Sequence, residues 1–171
     1  IQDTNRSLNA SFYAFDIDGD ALTYSVSFID NVATTVAGDK ITFVPDANFW
    51  GVRSAIITAS DGILSTNSNT FTLNIIHVNH APIITSTPGT VANEHVLYVY
   101  DVDATDIDSD TLSYSLIEAP ANMTIDSVSG LITWTPETAD IGNHLVNVRA
   151  SDGLLSVNQS YTLGVNNVND A

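Results

Sequence analysis

The sequence predicts an all-β protein built as two tandem β-sandwiches, and three observations carry that prediction. The chain repeats itself: Asp16-Ile17-Asp18-Gly19-Asp20-Ala21-Leu22-Thr23-Tyr24-Ser25-Val26 returns ninety residues later as Asp106-Ile107-Asp108-Ser109-Asp110-Thr111-Leu112-Ser113-Tyr114-Ser115-Leu116. Ile41-Thr42-Phe43-Val44-Pro45 matches Ile132-Thr133-Trp134-Thr135-Pro136, Ala59-Ser60-Asp61-Gly62 matches Ala150-Ser151-Asp152-Gly153, and Val78-Asn79 matches Val168-Asn169. Markers in the same order at one period mean two copies of one domain. Helix signals are absent, because no segment keeps apolar residues at helical spacing for three turns. Short runs that alternate apolar and polar residues recur throughout, as half-buried strands do.

Taken in chain order, Leu22-Thr23-Tyr24-Ser25-Val26, Phe71-Thr72-Leu73-Asn74-Ile75 and Leu145-Val146-Asn147-Val148-Arg149 read as strands. Asp18-Gly19-Asp20, Ala37-Gly38-Asp39, Ser60-Asp61-Gly62, Ser129-Gly130 and Ser151-Asp152-Gly153 read as the turns between strands. The boundary falls at His77-Val78-Asn79-His80-Ala81-Pro82, giving domains 1–79 and 80–171. Pro82 removes a ladder donor and biases Ala81 toward an extended shape, which makes a short, stiff joint. Each copy, about 90 residues, can bury a modest core. Copy 1 has no counterpart of Ala81-Pro82-Ile83-Ile84, so the chain reads as an excerpt from a longer array. Phe43 and Trp134, and Tyr24 and Tyr114, stand at matching places and are expected to pack in the cores. Asp101 and Asp103 alternate along a solvated face. Trp50, between Phe49 and Gly51, is expected to fold onto its own core; the alternative is a sugar platform, with Tyr98 and Tyr100 as further platform candidates.

Charge and composition limit the function classes. Twenty acids stand against four bases, for a net charge of −16. That field repels phosphate backbones and anionic membranes and attracts divalent cations, so nucleic-acid binding is not expected. The chain has no cysteine, which removes thiol chemistry, thiolate zinc sites and disulfides. A small secreted domain without disulfides needs another brace, and metal ions are one. No apolar run approaches the length of a membrane span.

The repeated Asp-x-Asp is the chemical signal. Calcium takes six to eight oxygens held by wrapping loops, and alternate residues of a strand share one face. The loop is not an EF-hand, whose sixth and twelfth positions would fall on Ala21 and Ser27, or on Thr111 and Ile117. Asp-x-Asp, a later Asp-Gly and a Val-Asn-x-Ala-Pro joint together resemble the cadherin-like repeat. Ala104-Thr105-Asp106-Ile107-Asp108, Gly130-Leu131-Ile132-Thr133-Trp134-Thr135-Pro136 and Ala150-Ser151-Asp152-Gly153 resemble the dystroglycan-type cadherin-like and immunoglobulin-like tandem repeats of bacterial surface adhesins. The resemblance covers nearly the whole chain.

It implies two Ig-like/cadherin-like Greek-key sandwiches, with calcium between consecutive repeats. Carried over residue by residue, it implies a site of Asn79, Asp106, Asp108 and Asp152, completed by a backbone carbonyl near His80 or Ala81, with Asp3 as a weaker contributor. It also implies half-sites at Asp16, Asp18 and Asp61 toward a preceding repeat, and at Glu94, Asn169 and Asp170 toward a following one. Asp20 and Asp110 read as supporting turn residues. His77 and His80 stand where joint aspartates are expected, and imidazole suits softer metals than calcium.

Nothing points to an enzyme: there is no Gly-x-Ser-x-Gly elbow, no His-Glu-x-x-His and no phosphate loop. Carboxylates that recur in each repeat are better read as repeated structure than as a duplicated glycosidase pair. Two readings stand. One is a calcium-stiffened spacer in a secreted or surface-anchored adhesin, partnered by neighbouring repeats. The other is a binding module for polysaccharide, or for another copy through an exposed strand edge.

Overall fold

The computed structural model describes residues 6–168. Asp3, Asn169 and Asp170 lie outside the described residues. The chain divides into two compact units, Ile1–Val78 and Asn79–Ala171. It is all-β: among the described residues the helical content is two short 3-10 turns, Ala10–Phe12 and Thr138–Asp140. Among the described residues no helix is long and apolar enough to cross a membrane.

Unit 1 contains β1 (Arg6–Asn9), β2 (Thr23–Val26), β3 (Val32–Ala37), β4 (Lys40–Pro45), β5 (Gly51–Ala55), β6 (Ile57–Ser60), β7 (Ser65–Asn67) and β8 (Phe71–Ile75). They pair as β1-β4-β3, β2-β6-β7 and β5-β8. Ile56 separates β5 from β6 because its backbone turns to Ser27: the Ser27 amide donates to the Ile56 carbonyl at 2.9 Å, and the Ser27 hydroxyl accepts the Ile56 amide at 3.0 Å. Period-two alternation along β4 sends Ile41 and Phe43 inward, and they are 0% and 4% exposed. Ala10, Ile29, Val32, Ala55 and Ile75 complete that core.

Unit 2 contains β9 (Ile83–Ile84), β10 (Val91–Asn93), β11 (Tyr98–Asp101), β12 (Ala104–Thr105), β13 (Ser113–Glu118), β14 (Thr124–Ile125), β15 (Leu131–Trp134), β16 (Gly142–Ser151) and β17 (Ser156–Asn166). One sheet runs β10-β17-β16-β13, another β11-β15-β14, and β12 pairs with β9. Ile132, Val146, Val148, Leu163 and Val102 are fully buried between the layers. Each such aliphatic side chain contributes about 1.5–3 kcal/mol of burial.

The internal repeat is visible in the pairing. Arg6 faces Phe43 in unit 1 as Tyr98 faces Trp134 in unit 2, so β1 is the counterpart of β11 and β4 of β15. The β16–β17 ribbon corresponds to β5 and β6 pairing with β8 and β7. Gly62 and Gly153 close equivalent turns at φ 95° and 96°, a backbone region that glycine enters without steric cost. Phe43 and Trp134 are buried as expected. Tyr98 and Tyr100 are not surface aromatics: they are 7% and 6% exposed, with their hydroxyls donated to the Gly89 carbonyl and to Gln159 Oε1, both at 2.8 Å. They share the inward face of β11, opposite the exposed Asp101.

Candidate metal centre

The site is built where the chain leaves β12. Asp106 follows that strand directly, and its Oδ1 accepts the Asp108 amide at 2.8 Å, which folds the loop back on itself. Ser109 then takes φ 63° and donates its amide to the Asp106 carbonyl at 3.3 Å. The turn brings Asp110 round. One carboxylate oxygen from each of Asp106, Asp108 and Asp110 lies within 4.8 Å of the others, the one such acidic group among the described residues. Asp110 read from sequence as turn support; the structure groups it with the other two. Copy 1 carries Gly19 at the place of Ser109, at φ 82°, which marks the left-handed turn but not the grouping, since Asp16, Asp18 and Asp20 are not gathered in the same way.

Two further loops converge on this end of unit 2. Asp108 is buried, with 6% of its side chain exposed, and its Oδ2 accepts the His80 amide at 2.7 Å while lying 3.0 Å from His80 Nδ1. Next along the chain, Asn79 donates its side-chain amide to Asp152 Oδ2 at 2.8 Å. The other oxygen of Asp152 accepts the Leu154 and Leu155 amides, each at 2.6 Å. The Leu155 amide above all, with those of Asn79 and Leu154, holds the Asp152 carboxyl below its usual range against the opposing effect of burial. Asn79, Asp106, Asp108 and Asp152 are thus joined through residues 79 and 80.

One atom is left over. Asp106 Oδ2 is buried and has no hydrogen-bond partner. A buried acceptor without a donor costs about 1–3 kcal/mol, and here it sits in a cluster of three carboxylates. Arg149, the single Lys or Arg of 79–171, is engaged elsewhere, donating to Asn158 at 3.4 Å. The donor set is oxygen, anionic and loop-borne, which suits a hard divalent cation of the calcium type.

The remaining sequence candidates lie as follows. In unit 1, Asp16 Oδ1 accepts the Asp18 and Asp20 amides at 2.8 and 3.2 Å, and Asp61 Oδ1 accepts those of Ile63 and Leu64 at 2.7 and 2.6 Å. These are the same turns as in unit 2 without the gathered carboxylates. Glu94 is buried within unit 2, accepting the Val168 amide at 2.8 Å. The Thr138 hydroxyl first, then that amide, holds its carboxyl below the ordinary range. The expectation that Trp50 folds onto its own core is overturned: it is 59% exposed, and its ring lies T-shaped to that of His77 with 5.3 Å between centroids. Its neighbour Phe49 is instead capped by the Arg53 guanidinium, 4.2 Å from the ring centre.

Comparison with known proteins agrees with this architecture. Residues 81–166 match the family described as "Putative Ig domain", and residues 2–74 match the one described as "Bacterial Ig domain". No curated protein sequence matches the chain. Among solved structures, the EC1-2 fragment of human protocadherin-24 is similar over 90% of this chain and 85% of that one, at 16% identity and a TM-score of 0.52. An endo-fucoidan hydrolase of glycoside hydrolase family 107 is 23% identical at a TM-score of 0.43, covering 98% of this chain. The chain spans 27% of the length of that hydrolase. Residues 81–166 are half of the chain, and the chain therefore belongs to the Ig-like domain family, with the all-β fold that its repeat pattern predicts and the Ig-like/cadherin-like form that the resemblance of its motifs implies.

Proposed function

We propose that this chain is a non-catalytic, calcium-binding repeat module of a secreted or surface-anchored protein, in which the ion stiffens the passage from one Ig-like repeat to the next. The observation that carries the reading is Asp106 Oδ2, a buried, partnerless anionic oxygen set among the Asp106, Asp108 and Asp110 carboxylates. A divalent cation would satisfy that oxygen and neutralise the cluster. Asp106, Asp108 and Asp110 would hold it, with Asp152 and the side-chain carbonyl of Asn79 as the adjoining oxygen ligands. Asn79 is the first residue of unit 2, so holding it on the ion restricts the connecting segment. An array of such repeats serves adhesion by extension, and its nearest partners are the neighbouring repeats.

The test is a calorimetric calcium titration with thermal melts in calcium and in chelator. Saturable binding near one equivalent with a raised melting point supports the reading. Absence of binding with an unchanged melt would reduce the carboxylates to solvated turns. Small-angle scattering in both conditions tests the stiffening separately, because identical profiles would refute a spacer role even if calcium binds.

A second reading rests on Trp50, whose exposed indole suits a sugar face. On it the module retains polysaccharide, and Trp50→Ala abolishes that retention. Equal retention by wild type and variant removes this reading without touching the first.

A further inference from the structure

The two copies agree where the fold needs a residue and part at certain outward positions. Gly51 and Gly142 open β5 and β16 at φ 134° and 130°, and they face Ile75 and Val165 in register. Counting from these glycines, Trp50, Val52 and Ser54 in unit 1 stand where Ile141, Asn143 and Leu145 stand in unit 2. Phe43, Tyr24 and Asp61 have like counterparts in Trp134, Tyr114 and Asp152, but the indole of Trp50 has none. Unit 2 completes the same fold without an aromatic there, so the fold does not account for Trp50.

The local structure holds the indole out. Burial alternates from Phe49 to Ala55, as the two-residue period of a strand requires. A Cβ built on Gly51 would lie 3.7 Å from the Phe49 ring and 3.8 Å from the Arg53 guanidinium, so this glycine makes room for the Phe49–Arg53 stack on the inward side. Trp50 and Val52 share the outward side, 59% and 60% exposed. On β8, Asn74 stands opposite Val52 and Thr72 opposite Ser54. Ile76, the next outward position, is 56% exposed. This openness belongs to the fold. In unit 2, where β10 lies along β17, Ile141 and Leu145 remain 42% and 47% exposed on the corresponding face.

We propose that this outward face of β5 and β8 binds a neutral polysaccharide, a chain of sugar rings without sulfate or carboxylate. The proposal rests on the second reading above and names its ligand class. The C–H groups on one side of a sugar ring carry partial positive charge and suit the negative face of the indole, with Val52 and Ile76 extending the apolar contact. Ser54, Thr72 and Asn74, all exposed, continue the face with hydroxyl and amide groups for the sugar hydroxyls. Trp50 to Ser54 spans roughly 14 Å at about 3.4 Å per residue, room for a short run of rings. Charge selects the class. The bases of unit 1 are Arg6, Lys40 and Arg53. Arg53 is spent on Phe49 and the Asp30 carbonyl, and Arg6 and Lys40 belong to the β1-β4-β3 sheet. The face has no cation for an anionic glycan, and a net charge of −16 repels one. Three apolar side chains offer on the order of a few hundred Å², short of the roughly 800 Å² per partner that a stable protein interface buries.

The chain has two tryptophans and Trp134 is buried, so Trp50 alone reports a surface ligand by its fluorescence. Emission is titrated with a galactomannan, a mixed-linkage β-glucan and a xyloglucan as neutral chains, and with alginate and carrageenan as anionic ones. Chelator is present throughout, so that calcium cannot bridge an acidic domain to an anionic glycan. A saturable change with at least one neutral chain is expected, and none with the anionic ones. By affinity electrophoresis in that polysaccharide, Trp50→Ala should weaken binding about tenfold or more. Thr72→Val and Asn74→Ala should each weaken it about threefold, with melting points unchanged, as exposed positions allow. No response to any neutral chain overturns the proposal. Anionic chains bound alone, or as tightly as neutral ones, with binding lost in Trp50→Ala, overturn the neutral class and leave the polysaccharide reading standing. Equal binding by wild type and Trp50→Ala removes both. Wild-type binding by Thr72→Val and Asn74→Ala overturns this face as the site. Self-association that Trp50→Ala abolishes, seen by ultracentrifugation, would make a second copy the occupant and also overturn it.

Discussion

Replacing Asp106 by asparagine should move stability in opposite directions with and without calcium. In chelator, wild-type unit 2 carries three carboxylates with oxygens within 4.8 Å of one another. At that separation a pair of unit charges repels by about 3.5 kcal/mol at an effective dielectric of 20 and about 0.9 kcal/mol in bulk water. Asp106 takes part in two of the three pairs. Asp110 is exposed and Asp106 half-buried, so screening pulls the sum toward the lower figure. Asp106→Asn keeps the Oδ1 that accepts the Asp108 amide and turns the partnerless Oδ2 into an N–H donor facing carboxylates. The expected gain in chelator is about 1–3 kcal/mol, or roughly 5–15 °C in the melting point of a unit this size. In calcium the wild type instead gains about 2.7 kcal/mol at a hundredfold excess over Kd, and the variant loses most of that increment. Two calorimetric scans per protein read both quantities. The reasoning is refuted if Asp106→Asn destabilises the chelated protein, or if its calcium increment equals that of wild type.

His80→Asp adds a carboxylate beside Asp108 while leaving the backbone amide that Asp108 accepts. Calcium affinity by calorimetry should rise about tenfold as the site gains an anionic oxygen, and the chelated melting point should fall. Gly130→Ala should cost roughly 1–3 kcal/mol by denaturant melt of unit 2, because Gly130 sits at φ 80° and an added Cβ would meet the Val102 carbonyl at 2.5 Å. Asp61, Asp126 and Asp152 are each held below their ordinary value of 3.8, chiefly by the backbone amides of Leu64, Ser129 and Leu155. A lowered folded pKa contributes stability above the unfolded value that is lost as pH falls through the folded one. Melts in chelator should therefore hold steady in this respect down to about pH 4 and drop below it, and Asp126→Asn should shallow that drop.

The fold was legible because its signal is redundant. The echo of Asp16-Ile17-Asp18 in Asp106-Ile107-Asp108 sets two domains, and period-two alternation sets which side of β4 and β15 faces in. Tyr98 and Tyr100 were readable too: with Asp101 on the solvated face, Tyr100 and Val102 must lie on the other. Their hydroxyls obscured this, since a buried tyrosine needs a hydrogen-bond partner and Gly89 and Gln159 are distant in sequence. Trp50 was misjudged for the opposite reason. An apolar side chain in a loop is drawn to the core by area alone, but Phe49 already occupies that place and leaves the indole outside.

What sequence spacing could not supply is how the acidic loop closes. Asp-x-Asp places two carboxylates on one face, and the third lies beyond a left-handed turn at Ser109 that copy 1 also makes, at Gly19, without gathering its acids. A non-glycine residue in that conformation carries a steric cost that Gly19 avoids in copy 1. The copy with the strained turn is also the copy with the gathered carboxylates, the partnerless Asp106 oxygen and the Asn79–Asp152 hydrogen bond. Strain persists where the surrounding structure over-determines it, and here Asp106 fixes both ends of the turn, its Oδ1 taking the Asp108 amide and its carbonyl the Ser109 amide. Ser109→Gly should therefore relax the chelated loop and raise its melting point slightly, while weakening calcium binding because the free loop no longer presents all three carboxylates together. A glycine variant that binds calcium as tightly as wild type would mean that the turn merely tolerates serine and that Asp110 takes no part in the site.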